Sequence, residues 1–153
     1  MICFWFISIV NNKGIHNKWR ISSSANRTSD EYETHIKPFL AREININVSD
    51  VIISSVVPAV NHELRTFVKN YFNINPKIVG DSILPNINIL IDRPDEVGAD
   101  RLVNSLAAHK IYGGPIIVVD FGTATTFDVI NKDGAYIGGI ISPGVNLSMD
   151  ALD

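Results

Sequence analysis

Four consecutive β-branched apolar residues, Ile116 to Val119, run into Asp120 and Gly122 and then into a second β-rich run, in the segment IIVVDFGTATTFDVINKDGAYIGG spanning 116–139. Such a run favours strand over helix, and because it is apolar at every position it predicts a strand buried on both faces. Asp120 then falls where that strand surfaces at its carboxyl end, the edge at which open α/β sheets bind ligands. Gly122 lets backbone come close to a ligand. Thr123, Thr125 and Thr126 offer hydroxyls and amides to phosphate oxygens, and Asp120 can hold a cation. The next element reads as a strand and not a helix, and neither GK[ST] nor GxGxxG occurs, which removes the Walker P-loop and the Rossmann loop. The letters DFG also occur in protein kinases, but their glycine-rich loop and HRD segment are missing here. Alone, DFGTATT reads equally well as an ordinary turn with β-forming threonines.

The rest of the chain alternates strand and helix signals. Cys3 to Val10 is β in pattern, NNKG is a turn whose glycine suits positive φ, and IHNKWRIS returns as a second strand, so a hairpin is predicted. TSDE at 28–31 is a capping box, followed by Tyr32, Ile36, Phe39 and Leu40 at helical spacing, with Pro38 expected to kink or shorten the helix. DVIISSVVP (50–58) reads as a strand closed by proline, and PAVNHELRTFVKNYF as a helix with Val60, Leu64, Phe67, Val68 and Phe72 along one side. PKIVG (76–80) and, with a weaker pattern, INILI (87–91) read as short strands. Val97, Leu102, Val103, Leu106 and Ala107 mark a helix starting near Asp95 and stopping at YGG. SPGVNLSMDALD begins another helix. Together these predict an α/β protein with a partly parallel, mixed sheet.

FDVINKDG (127–134) lies over ISIVNNKG (7–14), apolar on apolar and turn glycine on turn glycine. A duplicated architecture would produce this echo, and so would two independent tight hairpins, which want the same residues.

The 153 residues, 46% of them hydrophobic, suffice for a sizeable core. A net charge of -3 with no clustered Lys/Arg argues against nucleic acid as a partner. The single cysteine, Cys3, leaves no intramolecular disulfide and fits a reducing, cytoplasmic setting. MICFWFISIV is too short to span a bilayer and lacks a basic n-region and a cleavage site, so a buried strand is expected, a signal peptide being the weaker alternative. No membrane association is expected. His16, His35, His62 and His109 have no companions at metal-ligand spacing and read as surface or partly buried singles.

Two further segments invite chemistry. In EVGADRLVN (96–104), Gly98 weakens a helix start and is followed at once by Asp100 and Arg101; an acid in a first turn is also what the helix dipole favours on structural grounds alone. In GGIISPG (138–144), glycines flank a short apolar segment and serve either turns or close approach of a nucleotide.

In this order and spacing, WRISSSANRTSDEY, VIISSVVP, RPDEVGADRLVN, VVDFGTATTFDVI and GGIISPGVNLSMDAL resemble type III pantothenate kinase from about Phe4 to Leu152, with GADR and DFGTATT the specific blocks. The resemblance implies an acetate-kinase/actin-like (ribonuclease H-like) fold of two related halves, 1–112 being the first and 113–153 the start of the second. It implies ATP-dependent phosphorylation of pantothenate, the first step towards coenzyme A, in a homodimer using Mg²⁺ and a monovalent cation, K⁺ or NH₄⁺. By the same resemblance Gly98, Ala99, Asp100 and Arg101 form the pantothenate-binding segment, Asp100 is the proton acceptor, Asp120 the potassium ligand and Thr123 an ATP contact. These parts suit phosphoryl transfer, which rests on positioning and charge neutralisation.

Three departures accompany the resemblance. The family's first strand carries an Asp-x-Gly-Asn-Thr phosphate loop where this sequence reads MICFWF, its remaining second half with a substrate threonine and part of the adenosine pocket has no counterpart, and Ile91 stands where a substrate-contacting tyrosine is usual. Loss of a phosphate loop removes groups that contribute several kcal/mol to catalysis, so little or no activity is expected of the isolated chain. An inactive remnant, a non-catalytic binding module, or a phosphotransferase of the same fold acting on another small alcohol are the alternatives.

Overall fold

Asn12 and Lys13 turn the chain, and Gly14, at φ +115°, takes a conformation that side chains disfavour, which joins β1 (Phe4–Asn11) to β2 (Gly14–Ser22) as the expected antiparallel hairpin. The computed structural model describes residues 4–22, 24, 26–43 and 47–150; Cys3 and residues 151–153 lie outside them. The chain divides into two compact units, one of residues 2–52 and 57–76, the other of 53–56 and 77–153.

In the first unit, Thr28 Oγ1 accepts from the Glu31 amide while Glu31 Oε2 accepts from the Thr28 amide at 2.8 Å, so the capping box read from TSDE starts α1 (Ser29–Leu40). That backbone hydrogen bond also holds the Glu31 carboxyl below its ordinary pKa. The helix continues through Pro38 and ends two residues later. Pro58 sits in the first turn of α2 (Pro58–Phe72), where its missing N–H is no loss, and Asn73 in the left-handed region ends the helix. Tyr32 and Ile36 of α1 and Val60, Phe67 and Val68 of α2 are buried, as their helical spacing predicts. The Ser29 amide donates to Glu63 Oε2 at 2.7 Å, tying the two helices. His16, expected to be single, pairs with Glu43 at 3.3 Å.

The two β-rich runs read in 50–58 and 76–80 shrink to two residues each, β3 (Ile52–Ile53) and β4 (Lys77–Ile78), joined within the second unit through the Val79 amide and the Ile53 carbonyl at 2.8 Å. The helix expected near Asp95 begins later. Pro94–Glu96 form a single 3-10 turn, Gly98 is the N-cap and α3 runs Ala99–Tyr112. Gly98 therefore lies outside the helix, where it carries no penalty of the interior kind. The three-stranded antiparallel sheet β5 (Ile116–Phe121), β6 (Ala124–Ile130), β7 (Tyr136–Pro143) comes next, then α4 (Val145–Asp150). INILI supplies only Ile89, which bridges Tyr136 in parallel through Leu90 N to Tyr136 O and Tyr136 N to Asn88 O, both 2.8 Å. The fold is mixed α/β with small sheets.

Pairing register decides which side chains share a face. Ile117, Val119 and Phe121 of β5 stand opposite Val129, Phe127 and Thr125 of β6, and Phe127 opposite Ile140 of β7. On this face Ile117, Val119, Phe121 and Ile140 are 61%, 42%, 71% and 66% exposed. The expectation that Ile116 to Val119 are buried on both faces is therefore overturned. α3 covers one face, and the other is largely open among the described residues, with Thr125 at its edge the buried exception.

The hairpin echo has a structural counterpart. The ladder slips between Ile9 and Val10 in the first hairpin and between Val129 and Ile130 in the last, at equivalent positions of the two aligned segments, and both turn glycines, Gly14 and Gly134, have positive φ.

Candidate functional site

On β6 the residues alternate between the two faces, so Thr126, Asp128 and Ile130 point to the α3 side, together with Asp120 of β5. On α3, Asp100 and Asn104 are four residues apart and therefore neighbours on one helix face. Asn104 Nδ2 donates to Asp120 Oδ2 at 3.2 Å. The helix face bearing Asp100 is thus the one that meets the end of β5 bearing Asp120. Both carboxylates are exposed, and Asp100 Oδ1 accepts from the Arg101 amide at 2.9 Å.

Gly98 and Ala99 are held closely. A Cβ on Gly98 would lie 2.6 Å from Asp100 Oδ1 and 3.5 Å from Val56 Cγ1, and a Cβ on Gly80, itself at φ +87°, would lie 3.1 Å from that of Ala99. The Gly98 backbone lies against the Asp100 and Val56 side chains, with the Asp100 carboxylate folded over its own helix start.

Arg101, about 100° round α3 from Asp100, reaches further along the same sheet face. Its Nε donates to Asp128 Oδ1 at 2.7 Å, Nη2 lies 2.6 Å from the same oxygen, and the Tyr136 hydroxyl donates to it at 2.8 Å. Nη2 makes that contact by charge, without an aligned hydrogen bond. The Asp128 side chain is 1% exposed and that of Arg101 12%. Burial, and then the hydrogen bond to Asp128, push the Tyr136 hydroxyl up to about 12. A Cβ on Gly139 would run into Arg101 Nη2, the Phe127 carbonyl and the Tyr136 hydroxyl, so only glycine fits there.

Thr123 is exposed in the tight β5–β6 turn, three residues after Asp120. The Gly144 amide donates to its carbonyl at 3.2 Å, and a Cβ on Gly144 would strike the Gly122 and Thr123 carbonyls, so the start of α4 lies against this turn. The three threonines do not act together. Thr125 is buried and points to the opposite face from Thr126, whose hydroxyl lies 3.5 Å from Asp128 Oδ2.

The structure therefore brings Asp100, Asn104 and Asp120 to one side of the α3–sheet layer, puts Thr123 on the adjoining turn, and turns Arg101 into a buried ion pair. Three residues escaped the sequence reading. Asn104 could have been found from its i+4 spacing to Asp100, Asp128 as the lone charge in the apolar run FDVI, and Tyr136 only from pairing register. Among the described residues no group of three or more His, Cys, Asp or Glu could hold a metal ion, and no helix is long and apolar enough to cross a membrane.

A family model for type III pantothenate kinase matches residues 5–153. The chain belongs to the type III pantothenate kinase family. It is 49% identical over 148 residues to a protein of that name from Paramagnetospirillum magneticum, covering 95% of this chain and 57% of the relative. Similar proteins of the same name from Rhodospirillum rubrum and Roseobacter denitrificans are 50% and 48% identical over 139 and 137 residues, covering 88% of this chain and 54% and 53% of their own lengths. The chain spans about half the length of the curated relatives it matches.

Proposed function

We propose that this chain carries the acceptor-binding side of a kinase that transfers the γ-phosphoryl group of ATP to the terminal hydroxyl of pantothenate, within an actin-like fold whose first half is 1–112 and whose second half starts at 113. The observation that carries the reading is the Asn104 to Asp120 hydrogen bond, which sets the Asp100-bearing face of α3 beside the Asp120-bearing end of β5. Family membership supplies the substrate class.

In this reading Gly98, Ala99, Asp100 and Arg101 make up the pantothenate-binding segment, and Asp100 accepts the proton of the attacking hydroxyl. A carboxylate serves here because in a loose phosphoryl-transfer transition state the proton can leave late. Thr123 meets ATP. Asp120 fits a monovalent cation: it is an exposed carboxylate, hard cations take oxygen ligands, and Asn104 engages Oδ2 and fixes the group. Such a cation would offset phosphate charge. Mg²⁺ arrives with the nucleotide, and the protein works as a cytoplasmic homodimer.

Calorimetry with pantothenate tests the reading. Saturable binding is expected, weakened at least about tenfold by Gly98→Val, whose side chain would displace the Asp100 carboxylate and press on Val56. A long incubation with labelled ATP and the chain should then show phosphopantothenate formation at least about 100-fold lower in Asp100→Asn, with pantothenate binding retained. A chain that does not bind pantothenate is not this enzyme's acceptor site.

A further inference from the structure

Asp128 takes no part in the chemistry proposed above, yet two hydrogen bonds, from Arg101 Nε and the Tyr136 hydroxyl, and the charge of Arg101 Nη2 converge on its Oδ1. Assembling so dry an ion pair brings little net stability, because desolvation opposes the attraction. What it does bring is direction. Arg101 comes immediately after Asp100, and successive residues on a helix point about 100° apart. Holding the guanidinium against β6 and β7 fixes the rotation of α3 about its own axis, and that rotation sets where Asp100 points. Asn104 to Asp120 is the second stop on the same helix. With Gly139 leaving room for Nη2 and no more, the guanidinium has one place to sit.

We propose that Asp128 and Tyr136 are positioning residues for the acceptor-binding segment, and that Arg101 acts within it by anchoring α3 and not by offering its guanidinium to the substrate. This rests on the function proposed above and assigns a role to two residues which that reading leaves idle.

The test compares pantothenate affinity in the unaltered chain and four variants, with circular dichroism as the check on folding. Asp128→Asn should weaken pantothenate at least about tenfold, since the arginine loses its charged partner and α3 its fixed rotation. Tyr136→Phe keeps the ring in the core and removes one donor, so a loss of about two- to fivefold is expected. The deciding variant is Arg101→Met with Asp128→Leu, which replaces the pair by apolar side chains of similar bulk. Affinity restored to within about fivefold of the unaltered chain supports anchoring; affinity as poor as in Arg101→Ala shows that the guanidinium touches the ligand and overturns the proposal. Equal binding by Asp128→Asn and the unaltered chain overturns it as well, while leaving the function intact. An unaltered chain that binds no pantothenate overturns both. Should Asp128→Asn not fold, the Arg101 Nε–H in the nuclear magnetic resonance spectrum of the unaltered chain decides. Slow exchange with water is expected, and exchange as fast as that of surface arginines refutes the clamp.

Discussion

Tyr136 is the residue through which the buried cluster becomes measurable without any ligand. Its hydroxyl stays protonated until about pH 12, because burial and the bond to Asp128 both disfavour the phenolate. In the unfolded chain a tyrosine loses its proton near pH 10. The folded state therefore holds a proton that the unfolded state has released, stability is fully present below about pH 10, and it falls as the pH rises towards 12. The predicted loss over that interval is on the order of 3 kcal/mol, and Tyr136→Phe should lack this part of the alkaline decline; urea unfolding at pH 9, 10 and 11 compares the two. Gly139 is the steric counterpart. Its replacement by alanine drives a methyl group into the Phe127 carbonyl and the Tyr136 hydroxyl, and about 2 kcal/mol or more of stability should be lost in the same measurement.

At the scale of elements, α3 is fixed at both ends by glycines that do different work. Gly98 caps its start, and at its end the His109 ring is wedged between two loops: a Cβ on Gly134, at φ +82°, would lie 2.7 Å from His109 Cδ2 and Nε2, and one on Gly114 would lie 3.1 Å from His109 Nδ1. Gly134→Ala adds left-handed backbone strain to that clash, so a loss of about 2 to 4 kcal/mol is expected. Adding His109→Ala should return part of it, because the clash vanishes and only the strain remains; a strictly additive double variant would refute the wedge. The helices were legible because their signals are local: the Thr28–Glu31 box, Pro58 at a first turn and the apolar spacing of Tyr32, Ile36, Val60 and Phe67 need nothing from elsewhere in the chain. Strands were legible in kind and not in length. β3, β4 and the Ile89 bridge are shorter than their apolar runs, since a strand exists only where a partner backbone meets it. The candidate site divides along the same line. Asp100, Asp120 and Thr123 announce themselves in motifs, whereas Asp128 and Tyr136 meet Arg101 through pairing register that no local pattern encodes.

For the molecule as a whole, the misjudged burial of Ile116 to Val119 sets the last expectation. Apolar side chains at every position of a strand say that both faces would gain from cover; they do not say that a second layer is there to provide it. α3 occupies one face of the β5–β6–β7 sheet. The other shows Ile117, Phe121 and Ile140 more than half exposed, a contiguous apolar surface of the sort that soluble monomers avoid. Among the described residues β5 is also an edge of its sheet in the strand order, so backbone groups unpaired by any described strand lie beside that surface. The chain should therefore self-associate, and sedimentation equilibrium should give an average mass rising above 16.9 kDa with concentration. Ile117→Lys with Phe121→Lys places two charges on the open face and leaves the α3 side untouched, so the mass should return to that of the monomer while the thermal midpoint changes little. A chain that stays monomeric throughout the concentration range, or a doubly charged variant that associates as before, would show that this face does not govern association.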